Sequence, residues 1–238
     1  WIAHRGAGKL APENTLAAFR LGAQHGYRMF ECDAKLSADG VPFLLHDATL
    51  ERTTNGRGTG GDLPLGALAQ LDAGSWHSRA YAGEAVPTLE ALARFCIANG
   101  YFLNIEIKPT PGQEETTGRV VGETAARLWQ GQAVPPLFSS FKPDALAGAQ
   151  ATAAHIPRAL LLDTLWDGCL DTARRLGCVA IVCNHALWDA ALVAQVKDMG
   201  MRTLSYTVND DWAAQRLIAL GTDGIITDRV DLFSPATP

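Results

Sequence analysis

The chain of 238 residues is predicted to fold as a (β/α)8 barrel, an α/β fold of eight parallel strands with helices between them. Short apolar runs alternate with helical patterns at intervals of roughly 20 to 30 residues, which is typical of consecutive βα units. Glycines close several helices just before a strand, as a left-handed cap requires: Gly26, Gly100, Gly177, Gly200 and Gly221. An open doubly wound sheet is the alternative, but no GxGxxG follows a strand and no second-domain pattern is present.

Apolar runs supply the strands of this barrel, and helical patterns separate them. The predicted strands are 2–5, 29–36, 101–108, 136–140, 158–162, 178–183, 201–208 and 223–227. The predicted helices are 13–25, 88–99, 114–130, 143–153, 167–176, 187–198 and 210–220. Pro12 suits the start of the first helix, and Thr88 suits the N-cap of the second.

A further strand at 41–45 interrupts the regular order. The Asp39-Gly40 turn joins it to the strand at 29–36 and predicts a hairpin. Residues 47–87 then break the alternation, with glycines scattered among polar and aromatic side chains. This segment is too long for an ordinary loop and too weakly periodic for a domain of its own. We therefore expect one domain over residues 1–238 that carries 47–87 as a small insertion.

Composition narrows the classes of partner. The formal net charge is -5, so no basic field is available to attract nucleic acid or an anionic membrane. No apolar run approaches the roughly 18 residues that a membrane helix needs. The five cysteines form an odd set without CxxC spacing, which favours reduced core residues of a cytoplasmic protein. We expect a small-molecule substrate and a chain that acts as a monomer or a homodimer.

Carboxylates recur on one face of two predicted strands. Because side chains alternate along a strand, the first and second of these strands each send polar residues to one side. These are Glu31, Asp33 and Lys35 on the first strand and Asn104, Glu106 and Lys108 on the second. A half-exposed strand that faces water fits the first pattern equally well. In a barrel, however, three such carboxylates can meet, and an oxygen-rich site without thiolates favours Mg²⁺, Ca²⁺ or Mn²⁺.

Two histidines and two cations lie at or near predicted strand ends, where the active site of such a barrel forms. His4 and Arg5 end the first strand, and His46 ends the hairpin. Histidines there suit proton transfer near neutral pH, one accepting a proton and one delivering a proton to the leaving oxygen. Arg5 and Lys108 supply positive charge for a phosphate. A lone histidine is usually a hydrogen-bonded structural residue, but two histidines beside three inward acids favour catalysis.

Short motifs occur in a fixed order along nearly the whole chain. They are His4-Arg5-Gly6, Pro12-Glu13-Asn14-Thr15, Glu31-Cys32-Asp33, His46-Asp47, Leu50 with Arg52-Thr53-Thr54-Asn55-Gly56, Glu106-Ile107-Lys108, Ser139-Ser140-Phe141, Thr207-Val208-Asn209 and Gly224-Ile225-Ile226-Thr227-Asp228. This ordered set resembles the glycerophosphodiester phosphodiesterases. One motif alone would be weak evidence, whereas the whole set on the predicted elements is very specific.

The resemblance implies a (β/α)8 barrel that hydrolyses glycerophosphodiesters with one divalent cation. The implied substrates are deacylated phospholipids such as glycerophosphocholine or glycerophosphoethanolamine, and the products are sn-glycerol 3-phosphate and an alcohol. The implied residues are Glu31, Asp33 and Glu106 for the metal, His4 and His46 for acid–base catalysis, and Arg5 and Lys108 for the phosphate. The resemblance also makes segment 47–87 the family's typical insertion, which helps to shape the glycerol end of the pocket.

Two aromatic residues are further candidates for substrate contact. Phe141 follows a strand end, and Trp212 follows Thr207-Val208-Asn209, although either could be a packing or loop residue. One rival function is that of a phospholipase D-like or phosphoinositide-cleaving barrel, which would be expected to carry disulfides and membrane-facing loops. Another is a non-catalytic barrel that binds a phosphate metabolite, which would be expected to lack a histidine or a carboxylate. The nucleophile stays open between water and the substrate's own hydroxyl.

Overall fold

A computed structural model of the protein describes residues 1–233 and residue 235. Its strands are β1 (Ile2–Ala3), β2 (Met29–Leu36), β3 (Pro42–Leu44), β4 (Phe102–Ile107), β5 (Leu137–Ser140), β6 (Arg158–Leu162), β7 (Ala180–Asn184), β8 (Arg202–Tyr206) and β9 (Gly224–Thr227). In this part of the chain, eight strands pair in parallel in the order β1-β9-β8-β7-β6-β5-β4-β2, and the pairing of β1 with β2 closes the circle. The remaining strand, β3, pairs antiparallel with β2. The predicted (β/α)8 barrel and its hairpin are therefore confirmed.

Helices follow the strands around the outside of the barrel, except for one short helix that lies in segment 47–87. They are α1 (Leu16–Gln24), α2 (Leu65–Leu68), α3 (Leu89–Asn99), α4 (Glu114–Leu128), α5 (Pro143–Thr152), α6 (Cys169–Arg175), α7 (Ala190–Asp198) and α8 (Asp211–Ala219). Thr88 caps α3 as predicted, because its hydroxyl accepts a hydrogen bond from the Ala91 N–H. A membrane-crossing helix, which would have to be long and apolar, is not found among the described residues.

The first βα unit differs from its prediction in a way that matters for the site. Strand β1 ends at Ala3, so that His4 and Arg5 lie just beyond it rather than within it. Helix α1 begins at Leu16 rather than at 13, because Thr15 is its N-cap and accepts from the Ala18 N–H. The residues between β1 and α1, including Glu13, consequently form a loop at the mouth of the barrel.

Several later boundaries also differ from the prediction by one to three residues, among them those of β8 and α7. Strand β8 ends at Tyr206 rather than at 208. Helix α7 begins at Ala190 rather than at 187, because the Asp189 side chain caps it by accepting from the Leu192 N–H at 2.7 Å. Residues 185–187 form a separate short 3₁₀ turn. Local hydrogen bonds of this kind decide helix ends, which apolar periodicity leaves uncertain by about two to four residues.

The barrel has an apolar outer layer and an interior that changes character along the strands. On β2, Phe30, Cys32 and Ala34 are fully buried against the helices. Inside the barrel, the strands contribute a buried apolar cluster: Ile2, Ala159, Leu161, Ala180, Val182, Leu204 and Ile226. Charged and amide side chains occupy the interior nearer the carboxyl ends of β2 and β4. All five cysteines are buried free thiols, as the sequence predicts.

Segment 47–87 packs on the hairpin through a small apolar cluster of its own. The segment contains α2 and two 3₁₀ turns, Gly60–Asp62 and Arg79–Tyr81. The buried members of the cluster are Phe43, Leu45, Leu50, Leu68, Ala73 and Val86. That segment 47–87 is an insertion within a single domain stays a prediction.

The contact between α4 and α5 requires two glycines, which leads to a testable prediction. A Cβ atom at Gly118 would lie 1.9 Å from the Ala145 carbonyl oxygen, and one at Gly148 would lie 2.2 Å from the Glu115 carbonyl oxygen. Since backbone cannot yield as a flexible side chain can, Gly118→Ala is expected to lower the free energy of unfolding by roughly 1–3 kcal/mol. Urea denaturation followed by circular dichroism measures this change.

The control is Gly66→Ala in α2, where an added Cβ meets no atom within 4 Å. Alanine there should leave stability unchanged or raise it by up to about 1 kcal/mol, because alanine has the higher helix propensity. Equal stability of the Gly118→Ala variant and the wild type would show that α4 and α5 can separate at no cost.

Candidate active site

A cavity of about 420 Å³ opens at the carboxyl ends of the barrel strands. Its lining comes from both the first and the last strands: His4, Arg5, Glu31, His46, Asn104, Glu106, Lys108, Ser139, Phe141, Leu161, Asp163, Asn184, Tyr206, Thr207 and Ile226. This is the end of the barrel where loops of different strands converge, and where active sites of this fold are built.

Three carboxylates meet at one side of the cavity, as the alternation on β2 and β4 predicts. Asp33 pairs with Glu106 across the two strands, and Glu31 lies two positions earlier on the same face. Glu31, Asp33 and Glu106 each offer a ligand atom within 4.8 Å of the others. Glu31 Oε1 and Asp33 Oδ1 are buried and have no hydrogen-bond partner among the described residues. Buried carboxylate oxygens without donors fit a hard divalent cation, because such an ion would satisfy them.

The two predicted phosphate-binding cations lie beside these carboxylates. Arg5 Nη1 donates to Glu13 Oε1 at 2.9 Å, and Arg5 Nε lies 3.2 Å from Asp33 Oδ2. Lys108 Nζ donates to Glu106 Oε1 at 2.9 Å and lies 3.7 Å from Asp33 Oδ1. These contacts compensate part of the negative charge of the carboxylates and hold the Arg5 and Lys108 side chains at the rim of the acidic cluster.

The environment separates the acidities of the two β2 carboxyl groups. Burial, reinforced by the charge of Asp33, raises the pKa of Glu31 to about 8. Burial also opposes ionisation of Asp33, but Arg5 and Lys108 outweigh it and hold the pKa of Asp33 well below its usual range. Asn14 adds to this effect because its amide donates to Asp33 Oδ2 at 2.9 Å. Asp33 is therefore the carboxylate whose charge the protein itself supports.

Arg5 adopts an unusual backbone conformation at this site. Its φ angle is 50°, in the left-handed region that a residue with a side chain rarely occupies. The Arg5 N–H donates to Glu31 Oε2 at 3.0 Å, and its carbonyl accepts from the Asn14 N–H at 3.0 Å. The surrounding hydrogen bonds thus support a strained turn that aims the guanidinium at the acidic cluster.

His4 is oriented by a carboxylate from the far end of the chain. Its Nδ1 donates to Asp228 Oδ1 at 2.6 Å, while its Nε2 lies 3.8 Å from Glu31 Oε2. Asn209 supports this carboxylate by donating to Asp228 Oδ2 and accepting from the Asp228 N–H, both at 2.9 Å. Burial disfavours the charged imidazole, but the hydrogen bond to Asp228 and the charge of Glu31 raise the pKa of His4 above its usual value.

A glycine allows Asp228 to approach His4. Gly8 has a φ angle of 56°, and a Cβ atom there would lie 2.1 Å from the Asp228 carbonyl oxygen. Only glycine therefore fits where the first loop crosses the end of β9.

His46 lies in a contrasting environment. Its Nδ1 donates to Asp47 Oδ1 at 2.8 Å, and Arg52 holds Asp47 through two hydrogen bonds of 2.7 and 2.9 Å. Arg52 also donates twice to Glu13, which links the β3 end to the loop after β1. Burial, together with the charges of Arg5 and Lys108, lowers the pKa of His46. Two imidazoles with opposite pKa shifts thus flank the acidic cluster, an arrangement suited to transferring protons in both directions.

The two aromatic candidates have different positions. Phe141 lines the cavity, with its ring 5.7 Å from that of Tyr206 and Lys108 Nζ 5.7 Å from its centroid. Trp212 does not line it: this side chain is 64% exposed, and the ring nearest to it is that of His185 at 6.4 Å. The first turn of α8 carries Trp212 outward, because Ala213, Ala214 and Leu217 are the residues of this helix that face the core.

Some residues of the site have roles that the sequence did not reveal. Asp228 and Asn209 belong to recognised motifs, but the hydrogen bond between His4 and Asp228 joins positions 224 residues apart, and Asn209 acts on His4 only through Asp228. Asn104 and Ser139 line the cavity and are almost fully buried, and their side-chain polar atoms have no hydrogen-bond partner among the described residues. The alternation of side chains along a strand can predict that these two residues point into the barrel. It cannot predict that their polar atoms lack hydrogen-bond partners. No residue of segment 47–87 lines the cavity, although Arg52 orients Asp47 beside it.

Comparison with known proteins agrees with this geometry. The family model described as "Glycerophosphoryl diester phosphodiesterase family" matches residues 4–232. The YhdW protein of Bacillus subtilis is 34% identical over an alignment that covers 98% of this chain and 95% of that protein. A glycerophosphodiester phosphodiesterase of Caldanaerobacter subterraneus is 33% identical over 95% of this chain and 93% of its own length.

A solved structure supports the same relationship. An Oleispira antarctica phosphodiesterase in complex with the product sn-glycerol-3-phosphate superposes with a TM-score of 0.89. It is 36% identical to this chain, and the match covers 95% of this chain and 92% of that one. With a family model over nearly its whole length and relatives of this similarity, the chain belongs to the glycerophosphoryl diester phosphodiesterase family.

Proposed function

We propose that this protein hydrolyses glycerophosphodiesters, such as glycerophosphocholine or glycerophosphoethanolamine, to sn-glycerol 3-phosphate and an alcohol. The observation that carries this proposal is the meeting of Glu31, Asp33 and Glu106 with two oriented histidines in one cavity. Family membership and a relative that binds sn-glycerol-3-phosphate support it. The whole chain acts as one domain on a small molecule in the cytoplasm, as a monomer or a homodimer.

Glu31, Asp33 and Glu106 would hold one divalent cation, Mg²⁺, Ca²⁺ or Mn²⁺. The partnerless oxygens of Glu31 and Asp33 and the absence of thiolates in this cluster support a hard ion. When bound, such an ion supplies positive charge that offsets the charge developing on a phosphoryl group.

The remaining residues bind the phosphate and move protons. Arg5 and Lys108 lie at the rim of the acidic cluster, where their positive charges can bind a phosphoryl oxygen of the substrate. His4 and His46 divide the proton transfers, one from the nucleophile and one to the leaving oxygen. Asp228 and Asp47 keep each ring in one orientation and one tautomer, with Nε2 left for the substrate. Water and a neighbouring substrate hydroxyl are both compatible nucleophiles.

The assay follows release of a phosphate monoester from glycerophosphocholine and related diesters. Activity should disappear in EDTA and return with Mg²⁺, Ca²⁺ or Mn²⁺. Metal-independent activity, or none on any diester with any of these ions, would refute the proposed function.

Asp228 provides a test of histidine orientation. Asp228→Asn should lower kcat on the order of 10²-fold, because an amide in place of the carboxylate no longer holds the Nδ1–H tautomer of His4 or stabilises its charged form. The KM should change little, since Asp228 contacts the histidine and not the cavity. Steady-state kinetics on glycerophosphocholine separate these two constants.

The matched control is Asp231→Asn, which removes an exposed carboxylate paired with Arg229. It should leave kcat at the wild-type value. A normal kcat for Asp228→Asn would mean that His4 needs no partner at Nδ1.

A further inference from the structure

The cavity has two chemically different sides. The acidic cluster and both histidines come from β1 to β4, whereas the other side is built by β5 to β9. Counting around the barrel in either direction, β6 is four strands from β1, so the end of β6 faces the end of β1 across the opening. A phosphodiester bound at the carboxylates would therefore extend one of its two substituents toward the end of β6.

Two aromatic rings form part of this opposite side. Phe141 and Tyr206 meet edge to face, with centroids 5.7 Å apart and an interplanar angle of 87°. Tyr206 Oη donates to the Leu162 carbonyl at 3.1 Å. This hydrogen bond holds the tyrosine ring close to the end of β6, where Asp163 follows Leu162. The faces of such rings attract cations, because each ring carries negative charge density above its plane.

The residue that follows Leu162 is Asp163, which is exposed and lines the cavity. It lies outside the acidic cluster, and no Lys, Arg or His nitrogen of the described residues comes within 4.0 Å of it. Its hydrogen bond is with the Thr164 hydroxyl at 3.4 Å. Its charge is therefore free to pair with a ligand. Lys108, whose Nζ lies 5.7 Å from the centroid of the Phe141 ring, is already paired with Glu106.

Two neutral polar groups on this side of the cavity are already used within the protein, whereas the Ser139 hydroxyl on β5 is not. The Tyr206 hydroxyl already donates to Leu162, and the Asn184 side-chain oxygen already accepts from the Ala186 N–H. Leu161 adds an apolar surface. Aromatic faces, an apolar side chain and an unpaired carboxylate together match an alkylammonium group better than a neutral polyol.

We infer that Phe141, Tyr206 and Asp163 form the subsite for the alcohol group of the substrate and select diesters whose alcohol carries a positive charge, such as choline or ethanolamine. This inference rests on the proposed function and names the substrates that the site prefers. Asp163 is its specificity-determining residue: it pairs with the ammonium group and takes no part in the proton transfers.

The test compares kcat/KM for glycerophosphocholine with kcat/KM for glycerophosphoglycerol, whose alcohol is neutral. The wild type should prefer glycerophosphocholine by about tenfold, and Asp163→Asn should reduce this preference by about tenfold, mainly through KM. Phe141→Leu should also reduce it, because an aliphatic side chain offers no negative face. The control is Asp167→Asn, which removes an exposed carboxylate in the same loop but outside this cavity and should keep the wild-type preference.

A wild type that favours the neutral diester would overturn the inference. So would an unchanged preference in Asp163→Asn, or an equal loss on both substrates, since the carboxylate would then not recognise charge. Failure of the proposed function is distinct from these outcomes, because the wild type would then hydrolyse neither diester with any divalent cation.

Discussion

His4→Ala is expected to lower kcat by at least about 10²- to 10⁴-fold on every glycerophosphodiester, the range contributed by a positioned general acid or base. The imidazole is held between Asp228 at Nδ1 and the acidic cluster at Nε2, and alanine supplies neither a proton nor an acceptor. His46→Ala should cause a loss of the same order, because its ring flanks the cluster from the end of β3. The measurement is kcat at saturating substrate and cation.

The control for these variants is His155→Ala, which removes an exposed histidine that does not line the cavity. It should retain wild-type kcat, and circular dichroism should show that all three variants keep the fold. Near-normal turnover by His4→Ala would remove His4 from the proposed chemistry.

Glu31→Gln is expected to abolish activity with every divalent cation and, at the same time, to stabilise the metal-free protein. Activity is lost because the amide is a poorer ligand for a hard ion than the carboxylate. Stability rises because Glu31 is 2% exposed, lies beside Asp33 and has one carboxylate oxygen without a donor. Glutamine carries no charge, so it avoids the desolvation and the repulsion from Asp33 that raise the pKa of Glu31, and a gain of roughly 1–3 kcal/mol is expected.

Thermal unfolding in EDTA and in added cation measures both effects without an activity assay. Cation should raise the Tm of the wild type and leave that of Glu31→Gln nearly unchanged, because an ion stabilises only the folded state that binds it. Glu123→Gln, an exposed change on α4, should behave like the wild type. A cation-dependent rise of equal size in Glu31→Gln would mean that Glu31 is not a ligand.

The cluster that these variants test was predictable because it depends on local rules. Alternation along a strand sends Glu31 and Asp33 to one face, and the same rule sends Glu106 inward on β4. Once the strands are known to be parallel neighbours, inward residues at the same level of the barrel must meet. The helix ends were predicted less well, since the Thr15 and Asp189 caps depend on single hydrogen bonds.

Other features depend on which distant segments the closed barrel brings together. The pairing of His4 with Asp228 exists because β9 lies beside β1, and the exposure of Trp212 follows from how α8 packs. The unpaired state of Asp163 likewise depends on what surrounds it in space. Hydrophobic periodicity, turn chemistry and strand alternation act over a few residues, so the amino-acid order alone was enough for the barrel and the acidic cluster. Hydrogen-bond partners, burial and pKa shifts arise between residues far apart in the chain, and only the register and closure of the barrel decided them.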